Sequence, residues 1–402
     1  NVGVVTTDAF ITKYNPDGTT MLWSTFYGGG DNSQGTDVPH SLISDLDDNI
    51  YVYGVTSSLD FPIQGGFQTT HAGGDPLTFN SIGANFGGVG TDIYVAKFSA
   101  NGSNLLGSTY VGGSGNDGVN YKVTSGNYGA PADYDSLTMN YGDQLRGEIG
   151  LDDNNNILVS SSTRSTDFPV INPFQPNNNG QQDGVVFKLE NDFSQLIWSS
   201  YFGGSENVGC YSVKIDESDN ILVAGGTSSP DLPMVGGGYL DAYQGGKADG
   251  FVIKLSPNGL NVDFSTYLGT NDYDQVYFVD VDRNDMVYVL GQTLGGNYPV
   301  VGAVYENPGS TQFVTQLEPD LGTVSLSTVF GSEEPNIDIS PAAFLVDICG
   351  NIYISGWGRN ILQNTLFLQN MPVTPNAFQT SAPNGFDFYL LVLEREMSGV
   401  LY

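Results

Sequence analysis

The stretch "STFYGGG" (Ser24–Gly30) decides how the chain is read, because the chain repeats it. The phrase returns as "STYVGGS" at 108–114, "SSYFGGS" at 199–205, "STYLGTN" at 265–271 and "STVFGSE" at 327–333. Each copy ends a longer segment, first met as "DAFITKYNPDGTTMLWSTFYGGG" (8–30), whose relatives begin at Asp92, Asp183, Asp249, Thr311 and Asp387. A second phrase alternates with it: "SDLDDNIYVYGVTSSLDFP" (44–62), with relatives in "GLDDNNNILV", "KIDESDNILV", "DVDRNDMVYV" and "VDICGNIYI". Repetition of this kind bounds the architecture before any single residue does.

Each phrase reads as a β-hairpin. Short Val, Ile, Tyr, Phe and Thr runs lie between Gly, Asn, Asp and Pro, and long amphipathic runs with helical spacing are missing. In the second phrase Asp45, Asp152, Asp216, Asp282 and Asp347 each stand five residues before an Ile or Val that opens the next strand. The Asp, Asn and Gly residues between tolerate the left-handed backbone of a tight reversal. "NPDG", "SANG" and "SPNG" serve the first phrase in the same way.

Two hairpins make a four-stranded antiparallel sheet, which must bury its faces on neighbours. The expectation is therefore an all-β β-propeller of four-stranded blades, one domain over 1–402. Its c–d halves fall at 8–30, 91–114, 182–205, 248–271, 311–333 and 386–402, and its a–b halves at 41–57, 145–163, 210–228, 276–293 and 343–357. Six modules are visible, with six to eight blades if flanking sequence contributes. The chain stops at "GVLY", on residues that should introduce another copy, so a longer parent protein is expected. The glycine pairs are expected to supply backbone freedom for the turn from one blade to the next.

Composition narrows the function. Twelve Lys+Arg against 44 Asp+Glu leave a net charge of −32. That balance excludes nucleic acid and anionic membrane as partners, and suits either solubility outside the cell or attraction of divalent cations. Cys210 and Cys349 sit at non-equivalent points of the repeat and read as unpaired, small core residues. The sequence shows no signal peptide or transmembrane stretch, and direct membrane insertion is not expected.

Phrases such as "DGFVIKLSPNG", "STYLG", "DNILVAGGTSS" and "DFPV" resemble the SBBP β-propeller repeat, over essentially the whole chain. "VDICGNIYISGWG" with "MPVTPNAFQ" resembles large surface proteins of gliding Bacteroidetes. The resemblance implies further modules in the same long chain, type IX secretion and an extracellular or outer-surface location. It implies no reaction.

If strands run a, b, c, d, the short a–b and c–d turns share one face and the longer b–c and d–a loops share the other. Two insertions stand out on the long-loop face, 64–90 and 114–143. Long loops on a regular scaffold are where recognition usually sits. Candidate contacts to a surface glycan or protein partner are Tyr121, Tyr128, Tyr134, Tyr141 and His71, since tyrosine gives contact area at low entropic cost. The competing reading packs these side chains onto the sheet ends. Asp31, Asp117, Glu206, Asp272 and Glu333 follow the glycine turns and form a candidate acidic ring for Ca²⁺, which wants six to eight oxygens. No EF-hand spacing accompanies them, and turn chemistry explains acidic residues equally. The recurrent Phe67, Phe174, Tyr243, Tyr305 and Phe378 read as structural, as do Lys13, Lys97, Lys188 and Lys254 at one repeat position and Asp8, Asp92, Asp183, Asp249 and Asp387 at another.

With only His40 and His71, and no nucleophile elbow, H-E-x-x-H or CxxC, nucleophilic and zinc mechanisms have little material. A carboxylate pair acting on a polysaccharide stays open as the least favoured alternative. The expectation is a non-catalytic adhesion or scaffold module, with a glycan-binding, Ca²⁺-dependent lectin as the alternative.

Overall fold

A computed structural model describes residues 7–29, 35–79, 84–121, 136–358, 368, 370–382 and 387–401. The chain is all-β and of the propeller class, with two single-turn 3-10 elements as its only described helix. A first hairpin, β1 (Ala9–Tyr14) and β2 (Met21–Tyr27), stands alone as a two-stranded sheet. The first sheet comprises β3 (Asp37–Ser44), β4 (Ile50–Thr56), β7 (Asp92–Phe98) and β8 (Leu105–Val111), with a small hairpin of β5 (Leu77–Phe79) and β6 (Ala84–Phe86) between its halves. The second sheet holds β9 (Glu148–Leu151), β10 (Ile157–Thr163), β11 (Asp183–Leu189) and β12 (Leu196–Phe202). The third holds β13 (Val208–Ile215), β14 (Ile221–Thr227), β15 (Asp249–Leu255) and β16 (Val262–Leu268). The fourth holds β17 (Asp274–Val281), β18 (Val287–Thr293), β19 (Gln312–Leu317) and β20 (Val324–Phe330). The fifth has three strands, β21 (Ser340–Val346), β22 (Ile352–Trp357) and β23 (Phe388–Leu393), and its c–d turn returns only as a bridge from Leu393 to Val400.

Five sheets and a hairpin thus stand where six modules were expected. The hairpin is short of a full blade because the a–b phrase that would pair with it is not in the sequence before it. The chain packs as two compact units: 1–135 with 144–202, and 136–143 with 203–402. The repeat marks no boundary between them, since the same sheet recurs in both.

The turns obey the sequence. In the a–b turns, Asp48, Asn155, Asp219, Asp285 and Gly350 all have φ between 59° and 85°, at one repeat position. Asp45 Oδ1 accepts the backbone N–H groups of Asp47 and Asn49, and Asp152, Asp216, Asp282 and Asp347 repeat the staple. This is the side-chain-to-backbone bonding that makes Asp a turn former.

The glycine pairs do a different job from the one expected of them. Gly112 and Gly113 do not have positive φ. What they provide is the lack of a side chain. A Cβ on Gly112 would stand 2.6 Å from Asp92 Oδ1 and 2.9 Å from Asp117 Oδ2, and one on Gly113 would stand 2.6 Å from Asp167 Oδ1. Gly28 meets Asp8 and Asp37 in the same way, and Gly269 meets Asp249 and Asp274. The glycine lets the end of one sheet press between two carboxylates of its surroundings.

Within each unit the sheets stack by one rule. Side chains three residues after positions 8, 92, 249 and 311 face the following sheet, and those two residues after 92, 183, 311 and 387 face the preceding one. Ala9 and Ile11 of β1 share a core with Tyr94 and Ala96 of β7. Ile93 and Val95 of β7 share the next with Val185 and Phe187 of β11. In the second unit Val252 of β15 meets Phe313 of β19, and Val314 of β19 meets Tyr389 and Leu391 of β23.

Candidate functional site

The first recurrent constellation joins the a–b turn to the third strand in the first three sheets. Lys254 Nζ lies 2.8 Å from Asp216 Oδ2, Lys188 Nζ lies 2.6 Å from Asp152 Oδ2, and Lys97 Nζ lies 3.8 Å from Asp45 Oδ2. The lysine stems are largely covered, and Lys97 also lies over the Tyr51 ring. Burial pushes Asp216 up, but the Lys254 ammonium and Asn220 outweigh it and hold the carboxyl below its usual range. Asp152 behaves alike with Lys188 and Asn156. These pairs close the turn ends of the first three sheets and are structural.

The second constellation is the carboxylate pair around each repeat glycine. Asp117 Oδ2 accepts the Gly113 N–H and the Ser165 hydroxyl, and Asp117 Oδ1 accepts from Thr163. Asp274 Oδ2 accepts the Thr270 N–H and hydroxyl. Burial, with Asp117 beside it, pushes Asp92 up to about 8, and burial with Asp274 does the same to Asp249. Such pairs hold a proton at neutral pH rather than two full charges.

Several sequence-derived candidates take other roles. Tyr121 is buried, edge-on to Phe79 at 5.9 Å between ring centroids, under the Arg164 guanidinium, with its hydroxyl accepting from Asn116. His71 is buried too, with Nδ1 accepting the Gly73 N–H and Nε2 3.3 Å from the Thr56 carbonyl. Neither can present a face to a ligand. The insertion segments 64–90 and 114–121 do come together, through Leu77, Phe79 and Phe86 against Val119 and Tyr121. Tyr141 is half-buried, edge-on to Trp357 at 4.8 Å, and its carbonyl accepts from the Ser340 hydroxyl. Tyr128, Tyr134 and Asp31 lie outside the described residues.

Residues 136–143 belong to the interior of the second unit. Asn140 donates to Tyr277 and Gln292, Leu137 is fully buried, and Tyr211 donates to the Leu137 carbonyl. The segment is a plug, not a displayed loop. Its polar groups bond to β17 and β18, so its removal would strip partners from buried side chains.

The described members of the acidic ring have different surroundings. Asp117 is fully buried in its turn, Glu206 and Glu333 are exposed, Asp272 is half-buried, and Glu333 accepts from Asn307. Among the described residues no three His, Cys, Asp or Glu side chains converge as a metal-ligand set. Cys349 is exposed rather than in a core, and so is Phe378.

A site with room for a ligand lies at the turns of the fourth and fifth sheets. A cleft of about 330 Å³ is lined by Asp282, Arg283, Asn284, Tyr288, Gln316, Asp347, Ile348, Cys349, Arg395 and Glu396, among others. That volume is of the order of small-molecule sites. It exists where the lysine of the earlier sheets is missing. The equivalent residues are Gln316, which donates to the Tyr288 hydroxyl at 2.5 Å, and Val392. Asp282 and Asp347 keep their turn bonds but have no lysine. Asp347 Oδ2 accepts from Asn351 and from the Tyr353 hydroxyl, as Asp45 Oδ2 does from Asn49 and Tyr51, and the Asn351 bonds hold its carboxyl below the usual range. Burial and the Asp282 charge push Tyr288 up to about 12, so it stays a phenol.

Two of the chain's five arginines stand on this cleft, and Arg283 makes no ion pair among the described residues. Arg395 Nε lies 3.5 Å from Glu396 Oε1. Its stem passes over Gly350, where a Cβ would stand 3.1 Å from Arg395 Cγ. The lining thus alternates guanidinium donors with carboxylate and amide acceptors.

No protein-family model matches the chain, and no curated protein does. Solved structures do resemble it. A protein of unknown function from Bacteroides caccae is 11% identical, with a TM-score of 0.41, over 96% of this chain and 86% of that one. The NanB sialidase of Streptococcus pneumoniae is 8% identical, with a TM-score of 0.43, over 88% of this chain and 61% of that one. A gluconolactonase of Xanthomonas campestris is 10% identical, with a TM-score of 0.32, over 93% and 85%. Two of these three are enzymes, so the expectation that the chain is no enzyme is withdrawn. At these identities no activity and no residue role is carried across.

Proposed function

We propose that the chain is a carbohydrate-binding propeller module whose site is the cleft between the turns of the fourth and fifth sheets. The observation that carries the reading is the lining itself. A sugar hydroxyl donates and accepts at once, so vicinal hydroxyls suit a wall that alternates Arg283 and Arg395 with Asp282, Asp347, Glu396, Asn284 and Gln316. The exposed Ile348 adds an apolar patch for the C–H face of a ring. A neutral saccharide fits better than an acidic one, because three carboxylates against two guanidiniums would repel a uronate. Export to the outer cell surface belongs to the same proposal, supported by the resemblance of the repeat phrases and by the −32 charge.

Isothermal titration with a panel of neutral oligosaccharides and their uronate counterparts tests it. Binding of at least one neutral member, weakened tenfold or more by Arg283→Ala, is expected. Binding unaffected by Arg283→Ala and Arg395→Ala would place recognition elsewhere. Reducing-end analysis of the same mixtures reads out any turnover.

A further inference from the structure

The c–d turn of the fifth sheet departs from the repeat where it lines the cleft. In the other c–d turns the position before the left-handed residue is Asp17, Asn101, Asp192, Asn258 or Asp320. Each accepts the backbone N–H two residues on through Oδ1, and so staples its turn. The fifth turn has Glu396 there, preceded by Arg395. Both line the cleft, and both side chains are exposed. The frame of the turn is otherwise kept. The Glu394 N–H donates to the Gly399 carbonyl and the Met397 N–H to the Glu394 carbonyl, as Glu318 and Leu321 do in the fourth sheet.

The exchange strains the backbone. Glu396 has φ 61° and Met397 φ 51°, the only consecutive non-glycine residues with positive φ among the described residues. Phe193 and Leu321, the equivalents of Met397, are left-handed alone. The Cβ disfavours this conformation, and Glu lacks the short polar side chain with which Asp and Asn offset it. The surroundings hold the pair in place. Met397 is fully buried in the core of the fourth and fifth sheets, and its carbonyl accepts the Val304 and Tyr305 N–H groups. The Ser398 hydroxyl lies 3.0 Å from Glu394 Oε2 and 2.9 Å from the Arg395 carbonyl. Strain persists only where its surroundings over-determine it, and it gathers at ligand clamps.

We propose that the turn Arg395–Met397 is the ligand clamp of the cleft, with Glu396 its specificity-determining acceptor for a sugar hydroxyl. This rests on the carbohydrate reading above. Arg395 Nε stands 3.5 Å from Glu396 Oε1, so one hydroxyl of a vicinal pair can accept from the guanidinium while its neighbour donates to the carboxylate. The left-handed backbone keeps the longer Glu side chain out of the turn and on the cleft. Asp at this position would fold back on the Ser398 N–H, as Asp320 does on the Gly322 N–H, and leave the wall. Stability and binding are therefore opposed at this one residue, which an ordinary turn residue would not show.

Glu396→Asp restores the residue of the repeat and conserves charge, whereas Glu396→Gln keeps the length and drops the charge. Urea unfolding should give a higher midpoint for Glu396→Asp than for the parent, and an unchanged one for Glu396→Gln. Calorimetric titration with neutral gluco- and manno-oligosaccharides should show both variants weakened about tenfold or more. Removing hydroxyls of the bound sugar one at a time should find a position that weakens the parent about tenfold and leaves Glu396→Asp unchanged. A Glu396→Asp chain that is no more stable than the parent, or that binds as the parent does, overturns the proposal and leaves the cleft itself to the Arg283→Ala test. Deoxy sugars that rank alike on parent and variant overturn it too. A parent chain that binds none of these sugars overturns the carbohydrate reading, and this inference with it.

Discussion

The turn ends of the first three sheets and those of the last two are made from the same phrase and part company at the lysine position of the third strand. Where the third strand carries Lys97, Lys188 or Lys254, the ammonium lies on the turn carboxylate and the end of the sheet is closed. Where it carries Gln316 or Val392, the turn keeps its shape and a cleft stands beside it. The difference shows that the aspartate folds the turn by bonding backbone N–H groups, with or without a counter-charge. The lysine adds a charge partner to a turn that folds without one.

The comparison is broken most sharply at Lys254. Its pair with Asp216 is almost fully covered, so Lys254→Ala strands a buried carboxylate and should lower stability by about 3–5 kcal/mol in urea unfolding. Gln316→Ala, at the equivalent position, removes one bond to Tyr288 and should cost about 1 kcal/mol. Equal losses at the two positions would mean that the lysine is no special closure.

A smaller effect is expected at the glycine between sheets. Gly112→Ala forces a Cβ against Asp92 and Asp117 and should cost about 2 kcal/mol, since neither carboxylate can leave its bonds freely. Gly18→Ala has no neighbour to strike, and its penalty is that of the positive φ alone.

The two kinds of carboxylate also differ with pH. Asp92 and Asp249 have folded values of about 8, above the unfolded one, so their protonated forms stabilise the fold at low pH. That contribution is lost progressively from the ordinary carboxylate range up to pH 8, by up to about 1.4 kcal/mol per pH unit for each proton that only the folded chain holds, and the loss ends above 8. Asp152 and Asp216 have lowered values, and their contribution is lost as pH falls through the carboxylate range. The melting temperature should therefore fall between pH 6 and 8, and Asp92→Asn should flatten that fall. A melting temperature that climbs steadily to pH 9 would show that the glycine-flanking pairs are not protonated.

Much of the scaffold was legible. The Asp-to-strand spacing placed all five a–b turns, and the left-handed position fell on Asp, Asn or Gly in each. The phrase "STFYGG" was legible as a junction, but not why it needs glycine. Its partners Asp37 and Asp8 approach only after the sheets stack. The burial of two candidate residues was illegible for a related reason. Tyr121 and His71 look like loop residues in sequence, and nothing local says that Phe79, Arg164 and Thr56 will enclose them. The cleft left a signal that could have been followed. The lysine position was recognised as recurrent, and its loss at Gln316 and Val392 marked where the repeat stops closing itself.

A modest expected energy is the most informative for function. Arg395→Ala should weaken saccharide binding about tenfold, roughly 1.4 kcal/mol, with unfolding unchanged because the side chain is exposed. The most direct measurement closes the cleft by giving the fourth sheet what the first three have. Calorimetric titration of a neutral oligosaccharide into the parent chain and into Gln316→Lys should show binding to the first and a loss of tenfold or more in the second, with the fold intact. Equal affinity for both would contradict the account.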